Sequence, residues 1–166
     1  KWAQSINEYV YRIPSLKQLK IWSAALEDSW GQDGWQDKIN NEIEDCDAAI
    51  VLLSKQSIRK GSYCIDVELP QLLKRQDISI KYFLVDDCNY QNKEELKNIQ
   101  LENSPSKPLD KVNHKIAKGL IINALSSFIE IDESRDSKKD LRESFLRVSH
   151  VDEGKLLSSS WKTEYL

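Results

Sequence analysis

Ala48-Ala49-Ile50-Val51-Leu52-Leu53 is a run of six apolar residues, bounded by Asp47 on one side and Ser54 on the other. So short an unbroken run, closed at both ends by polar residues, fits a strand covered on both faces in a parallel sheet. Upstream of it, Trp35, Ile39 and Ile43 fall at i, i+4 and i+8, the inward face of a helix from about Trp35 to Asp45. The stretch Glu27 to Trp35 holds two glycines and several polar residues and reads as a loop, one that carries Trp30 and ends at Trp35. Leu19, Ile21 and Trp22 form a short β-prone run, and Trp2, Ile6, Tyr9, Val10 and Ile13 recur at helical spacing before Pro14.

Downstream, the loop Ser54 to Ser62 leads into a helix predicted from about Tyr63 to Arg75, facing inward with Tyr63, Val67 and Leu72 and interrupted at Pro70. Ile78 to Val85 reads as a second strand, and Asn92 to Asn98 as a short helix. Ser104-Pro105-Ser106-Lys107-Pro108 breaks the chain before a long helix from about Leu109 to Ile129. Helices alternating with short apolar strands predict an α/β fold with a doubly wound parallel sheet. Beyond Ile131 the sequence turns to charged residues, Asp132 to Asp140, followed by the apolar Leu141, Phe145, Leu146 and Val148. Two regions are therefore expected: a domain over residues 1–131, and over 132–166 a charged linker with a short helical tail.

At 166 residues the chain holds one domain with an ordinary core and leaves little room for a second. A net charge of −3 and an isoelectric point near 5.5 argue against a surface built to bind nucleic acid. With no stretch of roughly 20 apolar residues and no signal-peptide pattern, no membrane contact and a cytoplasmic location are expected. Cys46, Cys64 and Cys88 form no CxxC pair and are read as reduced thiols. His114 and His150 have no acidic or cysteine partner at ligand spacing, so no metal site is predicted. The lack of a GxGxxG or GxxxxGK stretch removes support for dehydrogenase and P-loop ATPase readings.

Four stretches in order carry a resemblance: Leu19-Lys20-Ile21-Trp22; Gly34-Trp35-Gln36-Asp37-Lys38-Ile39; Cys46-Asp47 through Leu53-Ser54; and Ser62-Tyr63-Cys64-Ile65-Asp66-Val67-Glu68-Leu69-Pro70. Together, over about residues 1 to 130, they resemble bacterial TIR (Toll/interleukin receptor) domains. The resemblance implies a flavodoxin-like doubly wound sheet. It places a BB loop after the strand ending at Trp22, and a catalytic glutamate, here Glu68, on the helix after the buried strand. The family often has a Trp four residues before that glutamate, where this chain has Cys64. It also has a first strand with a Phe-Ile-Ser-Tyr-like sequence, usually central in the sheet. Here that strand is expected before Lys1, in residues the sequence lacks, and part of the substrate pocket with it.

The activity the resemblance implies is cleavage of the nicotinamide–ribose bond of NAD+, the nucleotide being substrate and not cofactor, to nicotinamide and ADP-ribose or cyclic ADP-ribose. That bond breaks through an oxocarbenium-like sugar, which a nearby carboxylate stabilises, and nicotinamide leaves as a neutral group. Glu68 is the candidate catalytic residue, with Cys64, Trp30, Trp35 and Tyr63 as candidates for substrate contact. A plain alternative stands beside each: a solvated helix carboxylate for Glu68, a small buried hydrophobe for Cys64, core packing for Trp35, and an interface contact for Trp30. TIR enzymes of this kind act as assemblies, so self-association and a fused or partner sensor domain are expected, in antiviral defence or abortive infection. The competing reading is a non-catalytic TIR scaffold that only binds other TIR domains. A nucleoside deoxyribosyltransferase-like or receiver-like α/β domain is a third reading; a receiver would use Asp86-Asp87 but lacks the lysine-ended strand it needs.

Overall fold

The computed structural model describes residues 1–23, 34–135 and 144–149, with side chains as far as Ile129. The elements are α1 (Trp2–Arg12), β1 (Leu19–Trp22), α2 (Trp35–Asp45), β2 (Ala48–Leu53), α3 (Leu69–Lys74), β3 (Ser79–Leu84), α4 (His114–Arg135) and β4 (Ser144–Ser149). One π-helical turn, Cys64–Glu68, runs directly into α3. The four strands form one sheet in the order β1-β4-β2-β3, every neighbouring pair parallel.

Strand β2 organises the core. All six of its residues are buried, and alternate side chains point to opposite faces. Ala48, Ile50 and Leu52 join Phe83 and Val85 under α1 and α4, where Ile6, Val10, Leu16, Ile121 and Leu125 pack. Ala49, Val51 and Leu53 join Tyr82 and Leu84 under α2 and the turn before α3, against Trp35, Ile39, Ile43, Cys64 and Leu69. Helices thus cover both faces, which is why the strand reads as unbroken apolar sequence and not as alternation. Burying each large side chain contributes about 1.5–3 kcal/mol, and two such layers share one strand.

The boundaries of α2 and β2 fall where the sequence places them. Gly34 enters α2 with φ 79°, a left-handed conformation that glycine adopts without a side-chain clash. Pro70 is accommodated by the π turn: Leu69 N–H bonds to Cys64 O five residues back, and the wider winding makes room for the Pro70 ring, which brings no N–H to the helix. The helix expected over Asn92 to Asn98 is instead two single 3-10 turns, Tyr90–Asn92 and Glu94–Leu96, separated by the extended Lys93.

Helix α4 begins at His114 and not at Leu109, because Leu109 and Asp110 are held to the edge of β3. Their N–H groups donate to Leu84 O and Val85 O, each at 2.9 Å. Asn113 then caps the helix, its Oδ1 accepting Lys115 N–H at 2.8 Å. Asn103, buried, extends the cover of that edge: its Oδ1 accepts Leu84 N–H at 2.8 Å and its Nδ2 donates to Leu84 O at 2.9 Å.

Two expectations are corrected at the end of the chain. The predicted helical tail is, over residues 144–149, the strand β4. The predicted gap at the centre of the sheet is occupied: β4 lies between β1 and β2, pairing Leu19 with Ser144 on one side and Ala48 with Leu146 on the other. The physical reason is that Phe145, Leu146 and Val148 make an apolar run too short to specify helix or strand locally, so non-local pairing with two waiting strand edges decides. Residues 150–166, including His150, lie outside the described residues.

Candidate functional site

The loop that leaves β2 is a compact polar turn. Ser54 N–H donates to Ser57 Oγ at 2.8 Å and Ser57 N–H to Ser54 Oγ at 3.1 Å, so the two hydroxyls satisfy each other's backbone. Lys55 N–H donates to Asp86 Oδ1 at 2.9 Å, tying this loop to the end of β3. Gly61, at φ 81°, reverses the chain, and its N–H donates to Asp66 Oδ2 at 2.7 Å. Lys93 lies 3.7 Å from the other oxygen of Asp66. The π turn is therefore held from its solvent side by a carboxylate with two partners.

Glu68 closes this turn and is 1 % exposed. It is not the solvated helix carboxylate of the plain reading; its side chain lies inside the protein, on the helical segment that starts at the carboxyl end of β2. Tyr63 and Cys64, which precede it on the same helical segment, are at 7 % and 0 % exposure, buried in the layer that also holds Trp35. Cys64 has the burial of a small hydrophobe, and Trp35 packs against Trp22 with ring centroids 6.1 Å apart. Four of the five candidate residues thus belong to one region of the molecule. The fifth, Trp30, lies outside the described residues.

Sequence reasoning missed the polar contacts behind this region. Tyr63 OH donates to Gln36 Oε1 at 2.7 Å, Gln36 Nε2 donates to Asn40 Oδ1 at 3.0 Å, and Gln71 Nε2 donates to the same Asn40 oxygen at 3.1 Å. The i, i+4 spacing of Gln36 and Asn40 was the available signal, but polar pairs at that spacing usually face solvent. Ser62 was also unmarked: its hydroxyl is buried and makes no hydrogen bond among the described residues.

A shallow cavity of about 240 Å³ opens at the carboxyl end of β3, lined by Leu84, Asp87, Cys88, Asn89, Tyr90, Gln91 and Pro105. Burial first, then the neighbouring Asp86 and Asp87, pushes the Cys88 thiol up to about 11, so it is a poor nucleophile at neutral pH. No group of three His, Cys, Asp or Glu among the described residues is arranged to hold a metal ion. No helix among the described residues is long and apolar enough to cross a membrane. Comparison of the chain with protein-family models, with curated proteins and with solved structures finds no match.

Proposed function

We propose that this chain is a bacterial TIR-type NAD+ nucleosidase that splits the nicotinamide–ribose bond, with Glu68 as the carboxylate at the reacting sugar. One observation carries the reading: Glu68 is withdrawn from solvent on the turn that follows the buried strand β2 and its loop. Most glutamates without a task stay in water, because burying a carboxylate costs several kcal/mol unless it is compensated. Open α/β sheets bind nucleotides in the crevice outside the carboxyl ends of their strands, the end from which this helical segment starts. The parallel sheet with helices on both faces agrees with a doubly wound, flavodoxin-like TIR fold.

In the proposed reaction the glycosidic bond lengthens, positive charge develops on the ribose ring, and the Glu68 carboxylate stabilises it while accepting a hydrogen bond from a ribose hydroxyl. Nicotinamide departs with the bonding electron pair as a neutral molecule, so no general acid is needed. Water then attacks the anomeric carbon to give ADP-ribose and releases a proton; attack by the adenine ring of the same molecule gives the cyclic product. Tyr63, Cys64 and Trp35, from the apolar layer of the same region, are the proposed substrate contacts, with Trp30 as a further candidate. Glu68 at 1 % exposure is out of reach of a bulky substrate, so a neighbouring side chain has to give way before turnover. Assembly with further TIR domains, driven by a fused or partner sensor in cytoplasmic antiviral defence, is the proposed source of that opening. A scaffold without catalysis would use the same surfaces and release no nicotinamide.

Incubating the protein at high concentration with NAD+ and measuring free nicotinamide tests the reading, with Glu68→Gln as control. Release by the wild type and a loss of at least about a hundredfold in the variant are expected. Equal release by the two, or none by either, refutes it.

A further inference from the structure

The π turn has a geometric consequence for its two flanks. An α-helix advances about 100° per residue, so Tyr63 and Gln71, eight residues apart, would point about 80° away from each other on a regular helix. A π turn absorbs one residue, which leaves seven ordinary steps and brings the two side chains to within about 20° of one line. In the structure both reach the same short strip of α2: Tyr63 bonds to Gln36, Gln71 to Asn40, and Gln36 and Asn40 to each other. One strip of one helix thus grips the chain on both sides of Glu68, with a spacing that only the wide turn satisfies.

We infer that Gln36 and Asn40 are positioning residues for Glu68, a register lock that holds the Cys64–Glu68 segment in its π-helical form. The site for which Glu68 is positioned rests on the nucleosidase reading; the lock itself does not. Without the lock, the segment can relax to ordinary α-helical winding. Leu69 N–H would then exchange its bond to Cys64 O for one to Ile65 O, and the part of the chain before the turn would rotate by about 100° against the part after it. The rotation carries Glu68 and the proposed substrate contact Tyr63 out of register with each other. Asn40 is the hub, because its one carbonyl oxygen accepts from both Gln36 and Gln71. Aspartate can keep both contacts and leucine neither. Tyr63, a buried residue, adds a phenolic donor in a part-buried bond, where loss of a partner is felt.

Hydrogen exchange resolved at single amides tests the lock on the intact chain, with no ligand needed. In Asn40→Leu the Leu69 amide is expected to exchange about tenfold faster, through the openings in which it passes between Cys64 O and Ile65 O, while the Val51 to Leu53 amides of β2 do not change, and Asn40→Asp is expected to keep wild-type exchange. Tyr63→Phe, a milder change, should show the same local effect if Asn40→Leu proves too damaging to fold. An unchanged Leu69 amide overturns the inference, as does a uniform acceleration across β2. The catalytic consequence is read separately with NAD+: kcat about tenfold lower at unchanged KM in Asn40→Leu, restored in Asn40→Asp. A wild type that releases no nicotinamide refutes the nucleosidase reading alone, since the exchange result decides the lock either way.

Discussion

Replacing Arg75 by alanine should separate α2 from α3 at the end away from Gln36. Arg75 is the residue on which α3 ends, and its guanidinium lies under the carboxyl end of α2. Nη1 donates to Ile43 O at 2.8 Å and to Glu44 O at 2.5 Å, and Nη2 donates to Cys46 O at 3.1 Å. The last four carbonyls of a helix have no partner within it, and here one fork of donors serves the end of α2. The other edge of the guanidinium holds the Asp77 carboxylate, with Nε at 2.7 Å and Nη2 at 2.6 Å.

The carbonyls freed by the substitution partly regain water, so each bond is worth about 1 kcal/mol and the three together about 2–3 kcal/mol, the helix-dipole contribution included. Asp77, with its side chain 67 % exposed, adds less than about 1 kcal/mol. At about 2–4 °C per kcal/mol for a chain of this size, Arg75→Ala should lower Tm by roughly 5–10 °C. Thermal melts followed by circular dichroism measure it, alongside Arg75→Lys and Asp77→Asn. Lysine keeps the charge but cannot reach three carbonyls at once, and should recover less than half of the loss. Full recovery with lysine, or an equal loss in Asp77→Asn, would refute the account, because charge alone or the ion pair would then explain the stability.

Two further outcomes depend on pH. Cys46 and Cys64 are buried, so alkylation of the native protein reports on Cys88; with its thiol pushed up to about 11, the labelling rate should still climb about tenfold per unit between pH 8 and 10, and a rate that levels off between pH 9 and 10 would contradict the shift. For Asp110, burial raises the carboxyl, but hydrogen bonds from Lys1 Nζ at 2.9 Å and Trp2 Nε1 at 2.8 Å outweigh it, and the net direction is down. A carboxyl lowered by folding stabilises the protein above its unfolded pKa and loses that contribution as pH falls through its folded one. Urea titrations should therefore show the advantage of wild type over Asp110→Asn at pH 7 shrinking below about pH 4, and an advantage constant from pH 7 to pH 2 would exclude the linkage.

Where burial repeats along an element, the sequence carried the fold legibly. Ala48 to Leu53 needed no context, and Trp35, Ile39 and Ile43 marked both the existence of α2 and the face it buries. Glu68 was legible as a candidate only through the order of motifs around it, and its burial could not be read, because a lone glutamate has no periodicity. The winding at Pro70 was visible as a conflict but not in its resolution: a one-residue bulge is decided by contacts with α2, more than twenty residues away in sequence. The start of α4 was misplaced for a similar reason, since Leu109 and Asp110 are claimed by carbonyls of β3. Ser144 to Ser149 was the largest miss. A strand that owes its identity to two neighbouring edges leaves almost nothing in its own six residues to announce it.

The position of β4 bears on how the molecule is born. Translation delivers β1, β2 and β3 long before the strand that sits between the first two, so a nascent chain emerging from the ribosome holds β1 with no strand neighbour among the described residues and β2 with one edge bare. Within the described residues those edges find their partner only once residues 144–149 have cleared the exit tunnel, and an open strand edge favours cross-chain association. Contacts of such long sequence separation also form slowly. The β2–β3 pair can form while the chain is being made, but β1 is bridged to β2 only when β4 arrives, so synthesis rate and chaperone supply bear on the yield.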